Sequence, residues 1–499
     1  MKFKINLKRA AAFAAAASIF TAVSGCGKKA NVEMEDPNTL PSDSYEINWY
    51  LPGKTLHDIS TVENEINAYL KDKINATVKI NILENAQYKE KLSNMIQAGE
   101  YFDMCFAADW MLNYATNAEN GAFVALDDML EKYMPKTYDI IDKSLLEGAR
   151  IDGKIYGLPV IKESSMCYGW IYRKDIADKY GIDMSKVKSF EDLEPIAKMI
   201  KEKEPDIKYP VDWNGDQSPS GSISGFDILA ANVLGCRGGD DTFTVVNKMD
   251  LPETLEQFKL GHRFYTEGLI KEDILTNFND YTQRLKNGQA FCVLMPLKPG
   301  KVGELLKNSN YEFAQEYVQT PKKMLNAGSS SLNVISVTSK NPGRVARFME
   351  LLNTDEYLNN LVVYGVEGRH YEKVSDKVVK VIPEGGYTLS GSQWMIANIY
   401  LNYTTVEEEP DKYEQLKKFD EEATPNLLNG FRFVTQDIQA ELAACAAVTK
   451  QYGNQVSLGA LDPEPILETY RRELNNAGIE KIKIELQKQI NEFIKNKKS

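Results

Sequence analysis

From Tyr45 onward the chain alternates extended and helical patterns at short intervals, and that alternation limits the folds open to it. Residues 46–51 form a strand pattern. Ser60 with Glu63 three residues later makes a capping box, and Val62, Ile66, Tyr69 and Leu70 give the next helix one apolar face. Residues 77–83 alternate as a second strand. A helix with Tyr88, Leu92, Met95 and Ile96 on one side stops at Gly99, and residues 101–107 make a third strand. Strand, helix, strand, helix, strand predicts an α/β fold built on a parallel, doubly wound sheet. Ligands of such sheets sit beyond the carboxyl ends of the strands. That rule singles out Trp49 and Tyr50 after the first strand, and Asp109 and Trp110 after the third.

With 43% hydrophobic and 26% charged residues among 499, the chain can bury a large core, and its length suits two lobes. Cys105, Cys167, Cys236, Cys292 and Cys445 are widely spaced and odd in number, which is no disulfide framework; Cys105, Cys167 and Cys292 sit in apolar runs as small core residues. His57, His262 and His370 are scattered, with no metal-ligand spacing. Asp212, Asn214 and Asp216 begin like a calcium loop, but Gln217 and Ile223 stand where the loop needs glycine and glutamate. No phosphate-binding glycine loop follows a strand, so no cofactor and no metal are expected.

The segments DGKIYGLP (152–159) and YGWIYRKD (168–175) that follow the βα array resemble the extracellular solute-binding proteins of carbohydrate-type ABC importers, the maltose-binding-protein-like family. The resemblance implies a two-lobed periplasmic-binding-protein-like fold, each lobe a doubly wound sheet with flanking helices, joined by hinge strands near residues 157–160, 292–296 and 334–338. Lobe 1 would comprise residues 45–158 and 293–335. Lobe 2 would comprise 159–292 and 336–499, with a C-terminal helical extension from about 390. YGVEGRHY (364–371), NGFRF (429–433) and LGALDP (458–463) are similar to a sub-group that carries an extra C-terminal domain. Leu474, Ile482, Leu486, Ile490 and Phe493 have the spacing of packing positions in its last helices.

The N-terminus fixes the expected location. Lys2, Lys4, Lys8 and Arg9 precede an apolar run from Ala10 to Val23, too short for a permanent membrane helix. Val23-Ser24-Gly25-Cys26 resembles the lipobox of bacterial prolipoproteins. It implies a signal peptide over residues 1–25, lipidation of Cys26, a tether over 26–44, and a body anchored to the outer face of the cell membrane. Loss of residues 1–25 moves the net charge from −12 to −16, a surface that repels nucleic acid and anionic lipid.

A sugar presents C–H faces that stack on aromatic rings and hydroxyls that bond to carboxylates, amides and arginine. Besides Trp49, Tyr50, Asp109 and Trp110, the candidate ligand contacts are therefore Trp170, Trp213, Asn214, Asp216, Glu367 and Arg369, while Trp394 at a helix start is expected to pack. The chain is expected to capture a carbohydrate, an oligosaccharide in particular, without chemistry of its own, as a monomer that delivers it to ABC permease subunits. A surface glycoside hydrolase is the alternative, needing a carboxylate pair across a sugar bond. With 71 acidic residues, some pair near a cleft would prove little. A third class, an adhesin or structural lipoprotein, would carry repeats, and none is found.

Overall fold

The computed structural model describes residues 35–214, 217–221, 226–237, 242–306 and 309–497. The expected signal peptide, Cys26 and Asp216 lie outside them. Lobe 1 is built on a sheet ordered Ala76–Leu83, Tyr45–Pro52, Met104–Ala107, Leu332–Ile335, Gly157–Pro159. The first three strands are parallel and the fourth is antiparallel to both its neighbours. Helices Ile59–Ile74 and Asn85–Ala98 cross between the parallel strands, burying Val62, Ile66 and Leu70 in one case and Tyr88, Leu92 and Met95 in the other. The expected capping box is not formed. Asp58 stands at the helix start and Thr61 Oγ1 donates to it over 2.7 Å, while Glu63 turns inward, accepting from Ile80 N at 2.7 Å and pairing with Lys79 at 2.9 Å. Ile80 lies on an edge strand, so Glu63 satisfies a backbone donor that no neighbouring strand reaches.

Lobe 2 holds a sheet ordered Phe313–Tyr317, Ser165–Arg173, Ala290–Leu297, Tyr209–Asp212. Ala290–Leu297 is antiparallel to Ser165–Arg173 and parallel to Tyr209–Asp212. This overturns two expected hinges: residues 292–296 form a central strand of lobe 2, and residues 334–335 belong to the lobe 1 sheet. A short apolar run has the same composition whether it crosses between lobes or is buried on both faces within one. The lobe boundaries move accordingly. Residues 336–403 share the lobe 1 core, with Val345, Phe348, Leu352 and Tyr364 buried against Trp49 and Val62, and residues 293–323 stay with lobe 2. The chain passes between lobes over residues 160–164, 324–331 and 406–426.

The C-terminal helices Gln439–Ser457, Pro463–Asn476 and Ile479–Lys497 form a module whose Leu474, Ile482, Leu486 and Ile490 are buried with Val233, Leu234 and Phe258 of lobe 2 in one core. The helical unit thus begins after residue 426, not near 390. All five cysteines expected inside the body are buried. Residues 35–44, expected as part of the tether, lie on the body. Arg344, 1% exposed, donates to both oxygens of Glu35 at 2.6 and 2.8 Å and to Asn75 O at 2.6 Å, docking the chain on lobe 1 from Glu35 onward.

Lobe 2 is centred on Phe190, which meets Trp170, Trp213 and Phe264 edge-on at centroid distances of 5.1, 5.5 and 5.9 Å. Trp213 is fully buried. Trp213→Ala is expected to remove about 3 to 5 kcal/mol of folding stability, as large-to-small changes at aromatic core sites do; urea unfolding within about 1 kcal/mol of the parent would show that the residue is not core.

Candidate functional site

The strand Met104–Ala107 ends in a loop whose backbone is satisfied locally. Met111 N and Tyr114 N both donate to Ala108 O at 3.1 Å, and Leu112 and Asn113 take left-handed φ values of 62° and 43°. The loop is also stitched to the second crossing segment: Asp109 N donates to Ser329 O at 3.1 Å and Trp110 Nε1 to Ser330 O at 2.9 Å. With its only donor used, Trp110 presents a ring that is 51% exposed. Phe106, Trp110 and Trp394 gather there, with centroids 5.6 to 5.9 Å apart. The result is an aromatic floor at the carboxyl end of a lobe 1 strand. Beside it, burial pushes the Asp109 carboxyl up, against the opposing pull of the Ser329 hydroxyl and the Arg432 charge.

Trp394 also lines a cavity of about 550 Å³ between the lobes. Lobe 1 contributes Ser390 and Gln393 to its wall, the first crossing segment and its continuation contribute Glu163, Ser165 and Met166, and lobe 2 contributes Lys298 and Glu304. Its charges alternate in a chain: Glu163 to Lys298 at 2.9 Å, Lys298 to Glu304 at 3.0 Å, Glu304 to Lys412 at 3.5 Å, Lys412 to Glu408 at 2.7 Å. Burial by itself would raise the Glu163 carboxyl, but Lys298 and Lys162 hold it below the usual carboxylate range. For Lys298 burial works against the charge, and Glu163 and Glu304 outweigh it and push the amine up. Around the whole cavity four acidic side chains face four basic ones, so it has no net charge to attract an ion. Glu163 Oε2 and Ser165 Oγ are buried with no hydrogen-bond partner among the described residues. Buried polar atoms of this kind call for a partner, and a ligand with hydroxyl donors would supply one.

Asp109 and Trp110 therefore stand together as expected, and Trp394, expected to pack, joins them. Several other candidates do not. The first strand runs on to Pro52, so Trp49 and Tyr50 lie within it and not beyond it. Trp49 is fully buried, edge-on to Phe348 at 5.6 Å, while Tyr50 meets Phe102 on the other face with Lys91 5.3 Å from its ring. Trp170 is core, its Nε1 donating to Val187 O at 2.9 Å, and Trp213 is core with Phe190 and Phe264. Asn214 accepts from Gln217 N at 3.1 Å in a turn. Glu367 and Arg369 are exposed on lobe 1, pairing with Lys373 at 3.8 Å and Asp58 at 2.6 Å. The motif around them positions His370, fully buried, with Nε2 3.0 Å from Asp58. Arg432 and Glu163 escape the sequence reading: one reaches the site from the C-terminal module, and the other's only signal is a polar Lys-Glu-Ser-Ser interruption between the apolar runs LPVI and MCYGW. Among the described residues no three His, Cys, Asp or Glu side chains gather as a metal ion would require.

Residues 65–366 match the family described as bacterial extracellular solute-binding protein, and residues 427–495 match a domain of unknown function. A carbohydrate ABC transporter substrate-binding protein of Streptococcus pneumoniae is 30% identical over 495 residues, 97% of this chain and 98% of the relative. Among solved structures, the N-glycan transport solute-binding protein NgtS of the same organism superimposes with a TM-score of 0.82 at 29% identity, over 91% of this chain and 99% of that one. The same protein in complex with Man5GlcNAc scores 0.68 at 30% identity, again over 91% and 99%.

The charge chain yields a test of its own. Lys298→Met would leave Glu163 buried beside only Lys162, and breaking a buried pair by removing one partner costs roughly 3 kcal/mol. Because the wild-type Glu163 pKa is depressed, its stabilising contribution is present above the unfolded-state pKa and is lost on acidification. In the variant the carboxyl can shed its charge by taking a proton. The gap in stability between parent and variant is thus expected to be widest at neutral pH and to shrink as pH falls, measured by urea unfolding; a gap independent of pH would show that Glu163 is not the group left unpaired.

Proposed function

This chain belongs to the bacterial extracellular solute-binding protein family, and we propose that it captures a neutral oligosaccharide between its two lobes and delivers it to an ABC transporter. The family is extracellular, so the protein works outside the cytoplasm. The reading is carried by one observation: Trp110 and Trp394 form a partly exposed aromatic floor that runs into a charge-balanced cavity between the lobes. Sugar rings stack on such a floor through their C–H faces, while Asp109, Glu163 and Ser165 accept or share hydroxyl hydrogen bonds. A net-neutral wall favours a ligand without charge. The solved relative supports both the ligand class and the motion. Its TM-score to this chain falls from 0.82 to 0.72 for the complex with Man1GlcNAc and to 0.68 for that with Man5GlcNAc, as expected if lobes close on sugar and the present arrangement is the more open one. Chains of the N-glycan type are accordingly the first ligands to test.

The protein acts as a monomer and leaves the sugar intact. It is held at the membrane by lipid on Cys26. Since the chain is docked on lobe 1 from Glu35, the nine peptide steps from Cys26 reach at most about 30 Å, which keeps lobe 1 near the bilayer.

Two outcomes follow. In calorimetry with Man5GlcNAc, Trp110→Ala and Trp394→Ala are each expected to weaken binding about tenfold or more, while Trp110→Ala leaves the melting temperature close to that of the parent; binding unchanged in both variants would remove the aromatic floor from the site. In cell fractionation, Cys26→Ala is expected to move the protein from the membrane to the soluble fraction. Full retention on the membrane would rule out the lipid anchor.

A further inference from the structure

We infer that the C-terminal module is a latch between the lobes: it rides on lobe 2, and its Arg432 grips lobe 1 at the rim of the Trp110 floor. The inference rests on the reading that the lobes move relative to one another.

Attachment to lobe 2 is extensive. Tyr470, Leu474 and Ile482 share a core with Val233, Leu234 and Phe258. Gln487 Oε1 accepts from Val245 N at 2.7 Å, and His262 Nδ1 lies 2.8 Å from Gly459 O. Gly459, at φ 85°, approaches the Gly261 backbone so closely that any side chain there would collide with it. A module so joined moves with lobe 2.

The segment over residues 427–434 leads into this module and is fastened to its last helix at three points. Lys497 Nζ donates to Leu427 O at 3.1 Å and Asn429 O at 3.2 Å. Phe431 meets Phe493 edge-on at 5.6 Å. Gln489 pairs with both backbone groups of Val434 at 2.9 Å. From that support two side chains reach lobe 1. Asn429 Nδ2 donates to Ser144 O at 2.8 Å, and the Arg432 guanidinium pairs with Glu119 in the short helix Tyr114–Glu119 that follows the Trp110 loop. The Arg432 charge is also felt at Asp109, the carboxylate beside the floor.

Neither contact belongs to the three crossing segments, so both oppose a hinge motion that parts the lobes further, Arg432 the more so because Asn429 lies beside the second crossing. Arg432 and Glu119 are each 35% exposed, and partly solvated ion pairs shift an equilibrium by a few-fold and no more. The latch biases the lobes without locking them, as a protein whose lobes must still close on a ligand requires. Asp109, beside the Trp110 floor, feels the Arg432 charge, so a ligand held there is within reach of the same field. The domain of unknown function thereby acquires a role in the site.

The test uses the full chain with Cys26→Ser and nitroxide labels on Asp128→Cys in lobe 1 and Lys186→Cys in lobe 2, both exposed positions; the five body cysteines are buried and stay unlabelled. Pulsed electron resonance, without any sugar, reads the distance distribution between the lobes. Arg432→Glu, which sets like charges against Glu119 and Asp109, is expected to lengthen or broaden it, and Arg432→Glu with Glu119→Arg to return it toward the parent. A parent-like distribution in Arg432→Glu at an unchanged melting temperature would overturn the latch. Should that variant not fold, Arg432→Gln, with its smaller expected shift, is judged by the same criterion. Failure to bind Man5GlcNAc would count against the proposed ligand and leave these distances as they are.

Discussion

All three connections between the lobes meet at one carboxylate. Asp420, on the third crossing segment, accepts from Ser164 N at 2.8 Å and Ser164 Oγ at 3.0 Å on the first, and pairs at 3.4 Å with Lys323, the lobe 2 residue from which the second departs. Lys323 Nζ also donates to Ser164 Oγ at 2.7 Å. Two sheets with separate cores are thereby joined through one small polar knot, and the cavity between them is positioned by it. Because the knot is made of hydrogen bonds and not of packed apolar surface, it can hold the three strands together while the lobes on either side change their angle. Gly148 and Gly328 approach closely at the second crossing, where a side chain on Gly328 would collide with the Leu145 and Gly148 backbone.

The placement of the site follows from the same frame. Strands that point their carboxyl ends at the knot bring Asp109 and Trp110 to the gap, and the segment over residues 386–399 returns along lobe 1 to add Trp394. The surface carries excess negative charge, yet the cavity wall is balanced. Charge balance inside an acidic protein is what a neutral, hydroxyl-rich ligand requires, since any net field there would favour an ion over it.

How far the sequence disclosed this depended on the range of the interactions involved. The lobe 1 βα array and the pair Asp109 and Trp110 were legible because periodicity and strand ends are local properties. Trp49 falls inside the strand pattern of residues 46–51, so the strand-end rule does not reach it, and the alternation turns it into the core. Residues 292–296 read as a hinge in the sequence because an apolar run does not disclose which sheet it joins; only its pairing with Tyr209–Asp212 does. Trp394, Glu163 and Arg432 come from three distant parts of the chain and converge only through tertiary packing, so no spacing rule could have joined them.

The central claim is that sugar is held between two lobes that close on it. Small-angle scattering of the protein alone and saturated with an oligosaccharide shown by calorimetry to bind tests this directly. The account predicts a smaller radius of gyration in the complex. An unchanged radius at proven saturation would mean that the ligand sits on a rigid surface, and the two-lobed capture described here would be wrong.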